Sequence, residues 1–208
     1  MQNVEEARLA VEHGASALGF VTAMPSGFGP IDENLIVRII ATVPPQIATF
    51  LLTCATDART IMNQQRRSGA NTLQLVDEVS TRTYEVLRDA LPDVSIVQVI
   101  HVEGEKSIRD AAAVAPHVDA ILLDSGNPSL AIKELGGTGR VHDWALSRAI
   151  VERSPVPVFL AGGLRADNVA EAVRRVRPFG LDVCSGVRTG GRLDPAKLGA
   201  LVAAAAGG

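Results

Sequence analysis

Large rings are scarce in this chain. One Trp, one Tyr and five Phe make up 3% of 208 residues, although 47% of them are hydrophobic. A core built without rings has to come from Ala, Val, Ile and Leu, which suits parallel strands buried on both faces and covered by helices. Cysteine is scarce too: Cys54 and Cys184 have no metal-ligand spacing and suggest no disulfide framework. The plain reading is a reducing, cytoplasmic compartment. No apolar run reaches the roughly 18 residues of a membrane span. Glu5 and Glu6 stand where a secretory signal would carry its apolar stretch. Neither sign of charge prevails, and a net charge of −3 lacks the basic footprint of a nucleic-acid binder. Neither nucleic acid nor a membrane is therefore an expected partner.

What is present is a repeating unit of strand and helix. Apolar periodicity predicts helices over 3–13, 32–43, 57–68, 80–90, 107–114 and 144–153. One more starts at about 167, and a last one opens on Asp194-Pro195, a cap followed by proline in the first helical position. Ser107 is the expected cap of its helix, and Gly14 ends the first one. Short apolar runs predict strands at 15–21, 47–53, 72–75, 94–100, 120–123 and 156–161, with a further strand beginning at 180. Strands alternating with helices every 20–30 residues argue for one α/β domain, residues 1–208, around a parallel sheet. The count is seven strands and eight helices, and the pattern opens on a helix. A (β/α)₈ TIM barrel opens on a strand and closes with eight. The expectation is an open sheet, or a barrel whose first strand is missing from the chain as given.

The stretch from Val156 to Leu164 organises the rest. Its strand ends in Gly162-Gly163, where the backbone can turn sharply and approach a ligand closely, and a helix follows whose free N–H groups face the turn. The unit containing Cys184, Ser185 and Gly186 repeats the plan. Two such turns on neighbouring strands make a phosphate cradle, in the place where parallel barrels hold phosphate. Taken alone, these residues could be turn formers only. Asp124 closes the strand at 120–123, at the end where barrel catalysis sits. His101 also ends a strand and faces the mouth, whereas His13, His117 and His142 read as structural or exposed. Gly136, Gly137, Thr138 and Gly139 suit a lid closing over substrate, or a plain flexible loop. Cys54 and Cys184 read as small hydrophobes.

Several segments together resemble phosphoribosylanthranilate isomerase, a barrel enzyme of tryptophan biosynthesis. They are Asp119 to Ser125, Gly136 to Trp144, Leu160 to Leu164 with Asn168 and Val169, Asp182 to Val187, and Asp194 to Lys197. The opening, Glu5 to Ala7 and Gly14 to Phe20, is similar as well. The resemblance implies an Amadori rearrangement of a phosphorylated aminoaldose to an aminoketose, without metal or organic cofactor. It implies Asp124 as general acid, and Gln74, Gly137, Gly162, Gly163, Ser185 and Gly186 as substrate- and phosphate-binding residues. The family's base is a Cys in a Lys-Ile-Cys-Gly segment that is absent here, so the resemblance implies an N-terminal truncation and weak or no activity. Unpaired sheet edges would then invite association; a monomer or homodimer is expected. Two further positions depart from the family pattern. No Arg lies between Phe20 and Arg38, and Val76 stands where the family has His. Both touch the anthranilate end of the substrate. The alternatives are another phosphosugar isomerase or lyase on the same barrel, and a non-catalytic phosphosugar-binding barrel.

Overall fold

Helix starts are written locally in this chain. Among the described residues six helices begin on an Asn, Asp or Ser whose side chain accepts a first-turn N–H: Asn3, Asp32, Asp57, Ser80, Asp143 and Asp194. Such side chains satisfy donors that a helix leaves open. The computed structural model describes residues 1–25, 29–126 and 139–208. Within them the order is α1 (Val4–Glu12), β1 (Ala17–Val21), α2 (Glu33–Ile40), β2 (Ala48–Thr53), α3 (Ala58–Ser68), β3 (Thr72–Leu75), α4 (Thr81–Ala90), β4 (Ser95–His101) and α5 (Lys106–Val114). Then follow β5 (Ala120–Asp124), α6 (Trp144–Arg153), β6 (Val158–Leu160), α7 (Val169–Val176), β7 (Gly180–Leu181), β8 (Arg188–Thr189), β9 (Arg192–Leu193) and α8 (Pro195–Ala206).

One expected cap is corrected. Ser107 lies inside the first turn of α5, and Glu105 stands at the cap with no side-chain bond. The Ser107 hydroxyl donates to the His101 carbonyl at 3.1 Å and accepts from the Glu103 N–H at 3.2 Å. It therefore ties the helix to the end of β4 instead of starting it.

Strands β1 to β7 pair in sequence order, all parallel, in one seven-stranded sheet. A flat sheet would hold β2 and β6 roughly 19 Å apart, four strand spacings. Yet Phe50 of β2 and Phe159 of β6 meet edge to face, with ring centroids 6.1 Å apart. The sheet therefore curls, and its concave side encloses an inner layer of Val76, Val97, Val99, Ala120, Leu122 and Ala161. The other face of the same strands, with Leu18, Phe20, Leu51, Leu73, Ile96 and Leu123, packs under the helices. This is the (β/α)₈ TIM-barrel type of fold, with seven strands in its sheet. Along the outer edge of β1, the backbone nitrogen of Met1 donates to the Gly19 carbonyl at 2.6 Å and the Ile31 N–H to the Val21 carbonyl at 3.0 Å.

A feature beyond the alternating pattern is the β8–β9 hairpin, antiparallel and closed by Gly190 and Gly191 at φ 57° and 78°. Two positive-φ residues in a two-residue turn match the twist of the strands they join. Among the described residues no helix is long and apolar enough to cross a membrane.

Candidate functional site

The site forms where β5, β6 and β7 end. Ladder bonds continue one residue past the short strands: the Ala161 N–H donates to the Leu123 carbonyl at 2.8 Å, and the Asp182 N–H to the Leu160 carbonyl at 2.9 Å. Leu123, Leu160 and Leu181 are in register and face the helices. The next residues, Asp124, Ala161 and Asp182, therefore share one tier and point inward, because side chains alternate along a strand. Two carboxylates thus flank a methyl group, two strand spacings apart, and the small Ala161 leaves the room between them open. Asp124, Ala161 and Asp182 line one cavity of about 50 Å³ together with Gly162, Gly163, Ser185 and Gly186. That volume fits a small anionic group rather than a whole phosphosugar.

The two carboxylates differ in environment. Asp124 is 8% exposed, and its Oδ1 accepts the Ser125 N–H at 2.7 Å. Asp182 is exposed toward the cavity, yet the protein crowding its other sides, with the charge of Asp124 adding to it, pushes its carboxyl up to about 6.

The glycines make the turns possible. Gly162 and Gly163 sit at φ 83° and 63°, in the left-handed region. A Cβ on Gly163 would lie 2.6 Å from the Arg140 carbonyl carbon, so only glycine lets the segment at 139–140 lie against the cradle. A Cβ on Gly186 would overlap the Leu164 carbonyl oxygen, so the two turns touch through backbone alone. Among the described residues the N–H groups of Gly162 and Gly163 have no hydrogen-bond acceptor. Asn168 steadies the first turn from below, donating from Nδ2 to the Gly163 carbonyl at 3.0 Å and accepting the Arg165 N–H at 2.8 Å.

Residues 2–204 match the family described as N-(5'phosphoribosyl)anthranilate (PRA) isomerase. The chain belongs to this family. A similar relative is N-(5'-phosphoribosyl)anthranilate isomerase 2 of Methanosarcina mazei, 36% identical over 189 residues, which cover 90% of this chain and 83% of that one. The enzyme of Haloferax volcanii is 38% identical over 194 residues, 92% of this chain and 84% of its own. Among solved structures, phosphoribosyl anthranilate isomerase from Thermotoga maritima superimposes with a TM-score of 0.84 at 28% identity, over 100% of this chain and 96% of that one. Another member, with TM-score 0.81 and 26% identity over 100% of this chain and 95% of its own, was solved with reduced 1-(o-carboxyphenylamino)-1-deoxyribulose 5-phosphate.

Measured against the family expectation, Asp124, Gly162, Gly163, Ser185 and Gly186 come together at one cavity. Gln74 does not line it. It faces the interior from β3, in register with Val97, itself in register with Ala120, four residues before Asp124. Gly137, together with Gly136 and Thr138, lies outside the described residues. His101, in register with Asp124 at the end of β4, does not line this cavity: its Nε2 lies 3.0 Å from the Val76 carbonyl, and it lines a separate groove with Asp77, Glu78 and Glu103. Cys184 lines the cavity as an exposed residue, not as a small buried hydrophobe; the protein packed beside its sulfur pushes the thiol up, away from the reactive thiolate.

Two residues stand closer to the chemistry than sequence reasoning placed them. Asp182 sits inside a family segment, and its signal was available: it follows a short apolar strand as Asp124 does. His142 reads as structural in the sequence, yet its Nδ1 packs over Gly162 beside Ser125 Oγ, each about 3 Å from where a Gly162 Cβ would stand. Its Nε2 is 2.7 Å from Ser147 Oγ, and among the described residues the buried Nδ1 has no hydrogen-bond partner. Burial lowers the imidazole's pKa, outweighing the pull of Asp124 and Asp143, so the ring is neutral at pH 7. Nothing local announces this contact, because Gly162 and His142 are brought together only by the fold.

Proposed function

We propose that this chain isomerises N-(5'-phosphoribosyl)anthranilate to the corresponding 1-deoxyribulose phosphate aminoketose. As an isomerase of the aldose–ketose class it has to deliver one proton and remove another. Asp124 is the general acid. It protonates the ring oxygen as the C1'–O bond breaks and the anilino nitrogen's lone pair forms C=N. Loss of the C2' proton then gives the enamine-enol, which tautomerises to the ketone, so the reaction is redox-neutral within the substrate. Asp182, opposite across Ala161, is the second group able to exchange a proton near neutral pH. The phosphate lies against the backbone N–H groups of Gly162, Gly163, Ser185 and Gly186, and Gln74 contacts substrate deeper in the barrel.

The observation that carries this reading is that two inward carboxylates and two small-residue turns share a single cavity. The test is loss of anthranilate fluorescence on turnover. Asp124→Asn should lower kcat by roughly 10²–10⁴ while leaving competition by inorganic phosphate intact. Full turnover by the asparagine variant would remove Asp124 from the chemistry.

A second reading is another phosphosugar isomerase lacking the anthranilate ring. It is favoured by Val76, 2% exposed in the inner apolar layer where the family places a His, and by the lack of any Arg in 21–37. A panel of phosphosugars in the same assay separates the two: turnover of a non-anthranilate substrate only would favour the second.

A further inference from the structure

The turn at Ser185–Gly186 is followed at once by the β8–β9 hairpin, and that hairpin is bound to the other end of the chain. Arg188 directs its guanidinium at Glu6 of α1, with Nη1 2.9 Å from Oε1 and Nη2 2.8 Å from Oε2. The same carboxylate accepts the Leu193 N–H of β9 at 3.1 Å and the Gln2 N–H at 3.0 Å. Nη1 of Arg188 also donates to the Gly191 carbonyl at 2.8 Å, and the Arg188 carbonyl accepts from Lys197 Nζ of α8 at 2.9 Å. The two side chains are 8% and 9% exposed. Burial pushes the Glu6 carboxyl up, but the bonds from Arg188, Leu193 and Gln2 outweigh it and hold the carboxyl below its usual range.

A buried ion pair is a poor way to gain stability, since apolar residues of similar size often do as well. Its geometry, in contrast, is strict: a planar fork on a carboxylate fixes distance and direction together. Arg188 is two residues past Gly186, so fixing Arg188 fixes where the Ser185 and Gly186 N–H groups aim. Amides bind an anion only when aimed at it, because hydrogen bonds weaken steeply off-line.

We infer that Glu6 and Arg188 are positioning residues for the phosphate: their pairing holds the Ser185–Gly186 turn in anion-binding register from a helix 182 positions earlier in the chain. This rests on the phosphate reading given above. Phosphate lies remote from the reacting carbons, so loosening its cradle removes binding that ground and transition states share, and raises KM with little change in kcat.

The experiment compares the wild type with Glu6→Gln, Arg188→Met and the double variant Glu6→Met/Arg188→Met, measuring Tm, kcat, KM and competition by inorganic phosphate. The double variant removes both charges and keeps the volume apolar, so it retains a folded protein for the comparison. The expected result is KM and the phosphate inhibition constant each raised about tenfold, with kcat within about twofold of the wild type. If the variants lower Tm but leave both constants at wild-type values, the pair is scaffold only and the inference is overturned. If inorganic phosphate does not compete in the wild type, the phosphate reading itself fails and this inference falls with it.

Discussion

Glycines of equal flexibility carry unequal weight in this protein, and their surroundings decide which is which. Gly190 has φ 57° but nothing within 4 Å of its missing Cβ, so Gly190→Ala meets only the left-handed backbone cost, about 1–2 kcal/mol. Gly186 needs no positive φ, yet a Cβ there overlaps the Leu164 carbonyl oxygen, a backbone atom that cannot swing aside. Gly186→Ala therefore has to part the two turns of the cradle. The expected outcome is a loss of about 2 kcal/mol or more in stability, with competition by inorganic phosphate weakened more than in Gly190→Ala. Thermal unfolding and inhibition measured on both variants check this. Equal inhibition in the two would show that contact between the turns is irrelevant to binding.

The hairpin of β8 and β9 shows how one short element can depend on a distant one. Two residue pairs and a glycine turn do not hold two strands together in water. Its anchorage is Glu6, which accepts from both Arg188 Nη atoms and from the Leu193 N–H. Glu6→Ala leaves a buried guanidinium without its counter-charge. The pair's side chains are 8% and 9% exposed, which places the loss near the low end of the buried-pair range, roughly 3 kcal/mol. Urea unfolding at pH 7 measures it, and a change below about 0.5 kcal/mol would class the pair with ordinary surface ion pairs.

For the molecule as a unit, stability against pH follows from groups that the fold has shifted in opposite directions. His142 is depressed below its ordinary value of 6.5 by burial, so its contribution is present above pH 6.5 and is lost as pH falls through the folded value. Glu6 is depressed from 4.5, and its contribution is likewise lost on further acidification. Asp182, raised from 3.8 to about 6 by the protein crowding it and by Asp124, runs the other way: its contribution is full below pH 3.8 and lost as pH rises through 6. Between pH 6.5 and 4 the two site residues therefore offset one another. Asp182→Asn should raise Tm above pH 6 and leave a steeper fall on acidification, whereas His142→Gln should flatten that fall. Differential scanning across pH 4–8 checks both, and profiles parallel to the wild type would contradict the assigned shifts.

The order of strands and helices was legible because it is written in short-range chemistry: apolar periodicity, a capping Asn, Asp or Ser at six helix starts, and Gly or Pro at the ends. The strand-end aspartate and the two glycine turns were legible for the same reason, since each is a local pattern of a few residues. Ser107 misled because a serine before an apolar run reads as a cap, and only its neighbours His101 and Glu103 show it engaged otherwise. The curl of the sheet decided what local pattern could not. It brings Asp124 and Asp182 to one tier across Ala161, sets His142 over Gly162, and leaves Gln74 away from the cradle. The fold's closing contacts also join Glu6 to Arg188. Pairs such as these depend on which inward side chains share a tier and which chain ends meet, and that is a property of the packed sheet, with no counterpart in sequence spacing.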